Sequence, residues 1–240
     1  MTETRARIDV WSLTLEPDAR AERAACELLT VDECGRALRF RQSEDRAAFV
    51  RTRALARVVL GRALAVDPRA LAIVEGRDGK PELAGVADPP HFNVSHSGAR
   101  ALVAVCDSHA VGVDVERVRP LDWREVAEAH FAPAEIAEIA ARAPGARLDT
   151  FFDYWVAKEA YLKGVGVGLK RRTDDFVVPA RDGTDLPVLD DDALRRGPDD
   201  PGWYLRRLEI GRGYAAAVAI PTGHVAVEIR SVDALVELSH

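Results

Sequence analysis

The sequence predicts an α+β fold built of two similar halves, residues 1–118 and 119–240. Three observations carry that expectation. Helical periodicity gives way to paired strand patterns once before about residue 118 and once again after it, although no residue-level repeat accompanies the recurrence. With 240 residues, the chain is long enough to bury a substantial core. Its 48% hydrophobic and 30% charged content is that of a globular protein.

In the first half, the loose alternation from Ile8 to Leu15 predicts a strand, and Pro17-Asp18 opens a helix to about Leu29. A longer helix is expected from Arg46 to Val66, capped by Ser43-Glu44-Asp45 and striped by Phe49, Leu55, Val58, Val59 and Leu64. Asp67-Pro68 stops it. A short strand at Leu71–Val74 leads into the turn Gly76-Arg77-Asp78-Gly79-Lys80-Pro81. Then comes His91-Phe92-Asn93-Val94-Ser95-His96-Ser97-Gly98, whose Ser95-His96-Ser97-Gly98 end reads as a turn, followed by a hairpin pairing Ala101–Cys106 with Ala110–Glu116.

In the second half, Asp122 with Glu125 is expected to cap a helix over 123–129, and another covers 134–142. A third runs from Phe151 to Lys163. Strands follow at 176–178, 204–210, 214–220 and 225–229, with a Pro- and Asp-rich excursion loop at 179–201. Gly164-Val165-Gly166-Val167-Gly168 follows a helix instead of joining a strand to a helix start, so it reads as a C-cap and turn and not as a phosphate loop.

The formal net charge of −6 argues against a general nucleic-acid binder. No apolar run approaches the ~20 residues that span a bilayer, and Met1-Thr2-Glu3-Thr4-Arg5 does not read as a signal peptide. The expected location is therefore the cytoplasm. Cys26, Cys34 and Cys106 lack metal-site spacing and read as reduced structural thiols.

The helix at 151–163 holds the first chemical signal. Trp155, Glu159 and Lys163 stand at i, i+4 and i+8 on one face, beside an apolar flank of Phe151, Phe152, Val156 and Ala160. On a solvated face, Glu159 and Lys163 would be an ordinary pair worth about 0.2–0.5 kcal/mol. Of 33 basic residues, however, only Lys80, Lys158, Lys163 and Lys170 are lysines. Wherever charge alone is needed this chain uses arginine, so a lysine marks a job that a guanidinium does badly, such as releasing a proton. The arginines at 36, 39, 41, 51, 53 and 57 form a basic run that reads either as a solvated face or as an anion site.

The second signal is Val111-Gly112-Val113-Asp114-Val115-Glu116. Its period of two puts the valines on one face and Gly112, Asp114 and Glu116 on the other, the glycine leaving room for a ligand. Neighbouring carboxylates repel unless a cation lies between them. Asp114, Glu116 and Glu159 together would supply three hard oxygen ligands, which suits Mg²⁺ on a diphosphate. His96, just before the hairpin, could touch a phosphate.

With these motifs in order, the chain resembles the 4′-phosphopantetheinyl transferases of the larger, surfactin-activating (Sfp) type. The resemblance rests on Gly79-Lys80-Pro81, Phe92-Asn93-Val94-Ser95-His96-Ser97-Gly98, Gly112-Val113-Asp114-Val115-Glu116, and Trp155-Val156-Ala157-Lys158-Glu159-Ala160 ending in Lys163, and it covers essentially the whole chain. It implies a pseudo-dimer of the two α+β halves, with coenzyme A in the cleft between them. It also implies transfer of the phosphopantetheine arm onto a serine of apo acyl or peptidyl carrier proteins, releasing adenosine 3′,5′-bisphosphate.

By match, Asp114, Glu116 and Glu159 would hold Mg²⁺, and Glu159 and Lys163 would be catalytic, with either Glu159 or a metal-bound water taking the serine proton. Arg36, Lys80, Pro81, Asn93, Ser95, His96, Asp114, Lys158 and Lys163 would contact coenzyme A, with Arg36 toward its 3′-phosphate. The expected protein is a monomer serving polyketide or nonribosomal peptide carriers. Glu33 stands where the family often carries a lysine, which leaves Arg39, Arg41 or Arg53 as substitutes. Lys170-Arg171-Arg172 reads either as a carrier-facing patch or as a solvated one. Two other functions fit parts of the pattern: a catalytically silent CoA or carrier-binding module, and a Mg²⁺-dependent phosphohydrolase or nuclease.

Overall fold

The computed structural model describes residues 6–16, 18–76, 79–167, 171–179, 186–187, 202–223 and 225–232. The first sheet is centred on β1 (Ala6–Thr14), which pairs parallel with β10 (Val225–Val232) and antiparallel with β5 (Arg100–Cys106). The strand β4 (His91–Ser97) forms a hairpin with β5 and closes the order β10-β1-β5-β4. The second sheet has the order β6-β9-β8-β7, from β6 (Gly112–Arg117), β7 (Leu186–Pro187), β8 (Tyr204–Arg207) and β9 (Tyr214–Ile220). A small ribbon joins β2 (Ala72–Glu75) to β3 (Pro81–Ala84).

Alternation along the central strands explains how the layers stack. In β5, Ala101, Val103 and Val105 face one core while Leu102, Ala104 and Cys106 face another. In β9, Ala215, Ala217 and Ala219 face outward to a third core while Ala216, Val218 and Ile220 join the second. The second core therefore lies between the two sheets, with Ile8 and Val10 from β1 meeting Val111, Val113 and Val115. Strands buried on both faces carry near-continuous apolar sequence.

Helix α3 (Ser43–Leu64) covers the outer face of the first sheet, and α6 (Arg147–Val165) covers the outer face of the second. Around α3 lie α1 (Ala19–Cys26), capped by Asp18, and α2 (Val31–Ala37), capped reciprocally by Thr30 and Glu33. Beside α6 pack α4 (Trp123–His130), capped by Asp122, and α5 (Pro133–Ala141).

Several expectations change. Ser95, His96 and Ser97, expected in a turn, continue the strand His91–Ser97 and the chain turns only at Gly98; that strand takes the hairpin partnership with β5 that Ala110–Glu116 was expected to have. Register decides this, because β6 places its valines against the inter-sheet core and pairs with β9. The second sheet thus begins before residue 118, and β10 returns across the boundary to flank β1. Helix α3 starts at Ser43 with Gln42 as its cap. No strand forms at 176–178, where a short 3₁₀ turn at Thr173–Asp175 precedes Phe176. Most of the 179–201 excursion, Gly168, Lys170 and the Arg77-Asp78 turn lie outside the described residues. Cys26, Cys34 and Cys106 are free thiols.

Candidate active site

The site is set by how closely β6 approaches α6. A Cβ placed on Gly112 would stand 2.0 Å from the carbonyl oxygen of Ala160 and 2.3 Å from the nitrogen of Gly164. Only glycine permits that contact. The glycine expected to leave space for a ligand is instead filled by helix backbone. Gly166, in the left-handed conformation at φ 81°, caps α6 as expected, whereas Gly164 lies inside the helix against β6 and Trp203.

This contact brings the even face of β6 beside Glu159 and Lys163. Asp114 is 3% exposed. Its Oδ1 accepts from Lys163 Nζ at 2.5 Å and from Ser95 Oγ at 2.8 Å, while its buried Oδ2 has no hydrogen-bond partner among the described residues. Glu116 Oε2 accepts from Ser97 Oγ at 2.6 Å and from Arg119 at 3.3 Å. Burial pushes the Asp114 carboxyl above the usual carboxylate range, against the pull of Lys163 and Ser95. Burial and the negative charge of Asp114 do the same to Glu159, partly offset by Lys163. The carboxylates therefore destabilise one another's charge, which an added cation would relieve.

Among the described residues, no group of three or more His, Cys, Asp or Glu side chains is already arranged to hold a metal ion. Lys163 stands on Asp114 in that arrangement. The donor set nevertheless fits a hard cation, with an Asp114 oxygen left without a partner among the described residues and the carboxylates of Glu116 and Glu159 close enough to act on one another's charge.

Other expected residues divide into those at the site and those held elsewhere. Lys80 donates to the carbonyl of Lys163 at 2.9 Å, so the turn that precedes Pro81 and β3 rests on the C-terminal end of α6, where a cation meets the negative end of the helix dipole. Burial pulls the Lys80 ammonium below its ordinary value. His96 is an exposed residue, yet burial of its imidazole among its neighbours and the Lys163 ammonium hold it below the usual value.

Asn93 and Ser95 are buried and bonded to β6: Asn93 Oδ1 accepts from Val113 N, and Ser95 Oγ accepts from Val115 N and Lys163. Their side chains thus support the strand that carries the carboxylates, and the hydroxyl expected on a CoA phosphate is held inside the protein. Ser97, which the sequence reading did not single out, does the same for Arg117 N and Glu116. Polar residues at 93, 95 and 97, in step with 113, 115 and 117, were the available signal.

Lys158 is not at the site. It is 1% exposed and donates to the carbonyls of Thr173 and Phe176, both at 2.7 Å, and to Glu135 at 2.9 Å. Three ammonium protons meet three acceptors in a closed space, a geometry that a guanidinium fork does not match. Arg36 is half-exposed, pairs with Glu75 and lies 5.4 Å over the ring of Phe49, with Arg53 on the same ring at 5.9 Å. Glu33 is buried against Arg57 at 2.8 Å and Arg53 at 3.5 Å, so its role is to anchor α2 on α3.

The profile of the 4′-phosphopantetheinyl transferase superfamily matches residues 110–219, and that of the 4′-phosphopantetheinyl transferase N-terminal region matches 14–108, so the two meet just before β6. The 4′-phosphopantetheinyl transferase HetI of a Nostoc species is 33% identical over 217 residues, 89% of this chain and 87% of that protein. The chain belongs to the 4′-phosphopantetheinyl transferase superfamily.

Two Bacillus subtilis relatives are also similar. The 4′-phosphopantetheinyl transferase Sfp of strain 168 is 29% identical over 75% of this chain and 76% of its own length. A second 4′-phosphopantetheinyl transferase is 33% identical over 60% of this chain, a match that spans 63% of that relative. For this superfamily member, no helix among the described residues is long and apolar enough to cross a membrane.

Proposed function

We propose that this chain transfers the 4′-phosphopantetheine arm of coenzyme A to a serine hydroxyl of an apo acyl or peptidyl carrier protein, releasing adenosine 3′,5′-bisphosphate. The observation that carries the reading is the convergence of Asp114, Glu116, Glu159 and Lys163 where β6 crosses α6, in a member of this superfamily. Sfp-type architecture follows from the same reading: a pseudo-dimer acting as a cytoplasmic monomer, with the ligand in the cleft between its halves. Polyketide or nonribosomal peptide carriers are the proposed substrates.

Asp114, Glu116 and Glu159 would hold Mg²⁺. When bound, it supplies charge neutralisation on the pyrophosphate as the phosphoryl group is transferred. Of the chain's own groups, Glu159, in the field of Asp114 and Lys163, would accept the serine proton as the serine oxygen attacks the β-phosphorus. The bond from that phosphorus to the bridging oxygen breaks, and the Lys163 ammonium stabilises the departing phosphate or protonates it. Lys80 would border the adenine, His96 a phosphate, and Arg36 with Arg53 would meet the 3′-phosphate. Ser95 and Lys158 act from inside the protein.

Chromatographic detection of adenosine 3′,5′-bisphosphate tests this reading. Its formation from CoA and Mg²⁺ only when apo carrier is present is the expected result. Formation without carrier would indicate a phosphohydrolase, and none with any carrier despite CoA binding would indicate a silent binding module.

A further inference from the structure

The two sheets meet edge to edge at β4 and β6, and there side chains replace the backbone ladder. Three residues of β4 at period two each take one amide of β6: Val113 N donates to Asn93 Oδ1 at 2.9 Å, Val115 N to Ser95 Oγ at 3.3 Å, and Arg117 N to Ser97 Oγ at 3.1 Å. An amide can only donate, so both serine oxygens accept at that bond, and each has one proton left to give. Ser95 gives its proton to Asp114 at 2.8 Å, and Ser97 gives its proton to Glu116 at 2.6 Å.

The two serines differ in what they share. Asp114 has a second anchor in Lys163, whereas the other partner of Glu116 is Arg119, at 3.3 Å and with half its side chain in solvent. Ser97 is also fixed from the other direction. Gly98, at φ 54°, turns the chain where a Cβ would meet Arg117 at 2.9 Å and Tyr214 at 3.0 Å, and Ala99 N donates to the Tyr214 hydroxyl. The second sheet thus grips the turn next to Ser97.

We propose that Ser97 is a positioning residue for Glu116: docking of the first sheet on the second aims this carboxylate, so that cation affinity depends on the seam between them. The inference rests on the proposed cation role of Asp114, Glu116 and Glu159. A group that orients a metal-ligating carboxylate typically contributes about 10–100-fold in metal affinity.

The test is Mn²⁺ binding to the full-length chain without CoA or carrier, read from the electron paramagnetic resonance signal of free Mn²⁺. Ser97→Ala should weaken binding about tenfold, and Ser97→Thr, which keeps a hydroxyl, should stay within about twofold of wild type. In a Glu116→Gln background, Ser97→Ala should have no further effect. Wild-type affinity in Ser97→Ala, or a loss in Ser97→Thr equal to that in Ser97→Ala, overturns the positioning role. If Glu116→Gln itself binds like wild type, the cation reading of the site fails instead. Should Ser97→Ala not fold, the threonine variant and the Glu116→Gln control decide the matter.

Discussion

Lys163 Nζ stands 2.5 Å from Asp114 Oδ1, joining the last turn of α6 to the middle of β6 across the point where Gly112 lets helix and strand touch. Lysine and aspartate are both held by Ser95, so one serine from the first sheet bridges a charged group of β6 and one of α6. The pair is therefore a product of tertiary packing, and its chemistry is sensitive to small shifts in that packing.

Replacing Lys163 with arginine keeps the charge and loses the compact ammonium. Transfer should fall by about 100-fold or more while CoA binding persists, as measured by steady-state rates beside calorimetric CoA titration. Wild-type turnover would show that charge alone suffices at this position.

The Gly112→Ala variant tests the contact itself. A methyl group 2.0 Å from the Ala160 carbonyl forces α6 and β6 apart, with an expected destabilisation of about 1–3 kcal/mol and a larger fractional loss of activity than of folded protein. Thermal denaturation and rate, measured on the same sample, check both. An alanine variant as stable and active as wild type would contradict this packing.

Lys158 and Glu135 form a buried pair whose hydrogen bonds also hold Val178 N and Ala132 N. Removing one partner, as in Lys158→Met, should cost about 3–5 kcal/mol by stranding the other charge. The double variant Lys158→Met with Glu135→Leu should recover much of that loss. Denaturant titration of the three proteins reads this coupling, and additive single effects would refute it.

Raised carboxyl values at Asp114 and Glu159 set the sign of a pH effect. Between the unfolded value near about 4 and the higher folded one, the folded protein binds more protons than the unfolded chain. Stability is then lost as pH rises through that window. In EDTA, Glu159→Gln should become increasingly more stable than wild type as pH rises from about 4 toward neutrality, and Mg²⁺ should narrow the gap by stabilising wild type. A Tm difference that is constant with pH would contradict it.

Much of this was legible in the chain. Period two in 111–116 put Asp114 and Glu116 on one face, and helical spacing put Glu159 and Lys163 on another, because those patterns are local. Strand pairing is not local. The hairpin went to β4 and β5 because β6 answers to the inter-sheet core, which depends on residues as distant as Ile8 and Val218. Lys158 beside Glu159 looked like part of the same site, yet one residue turns the helix by about 100° and sends it into the core. The scarcity of lysine pointed to special roles, and one of these is structural.

The central claim is best tested by the intact mass of an apo carrier protein after incubation with this chain, CoA and Mg²⁺, beside EDTA and Glu159→Gln controls. The account predicts a gain of one phosphopantetheine unit on the carrier with the wild-type protein, absent with EDTA and nearly absent with Glu159→Gln. A carrier left unmodified across acyl and peptidyl types, or one modified equally well by Glu159→Gln in EDTA, would contradict it.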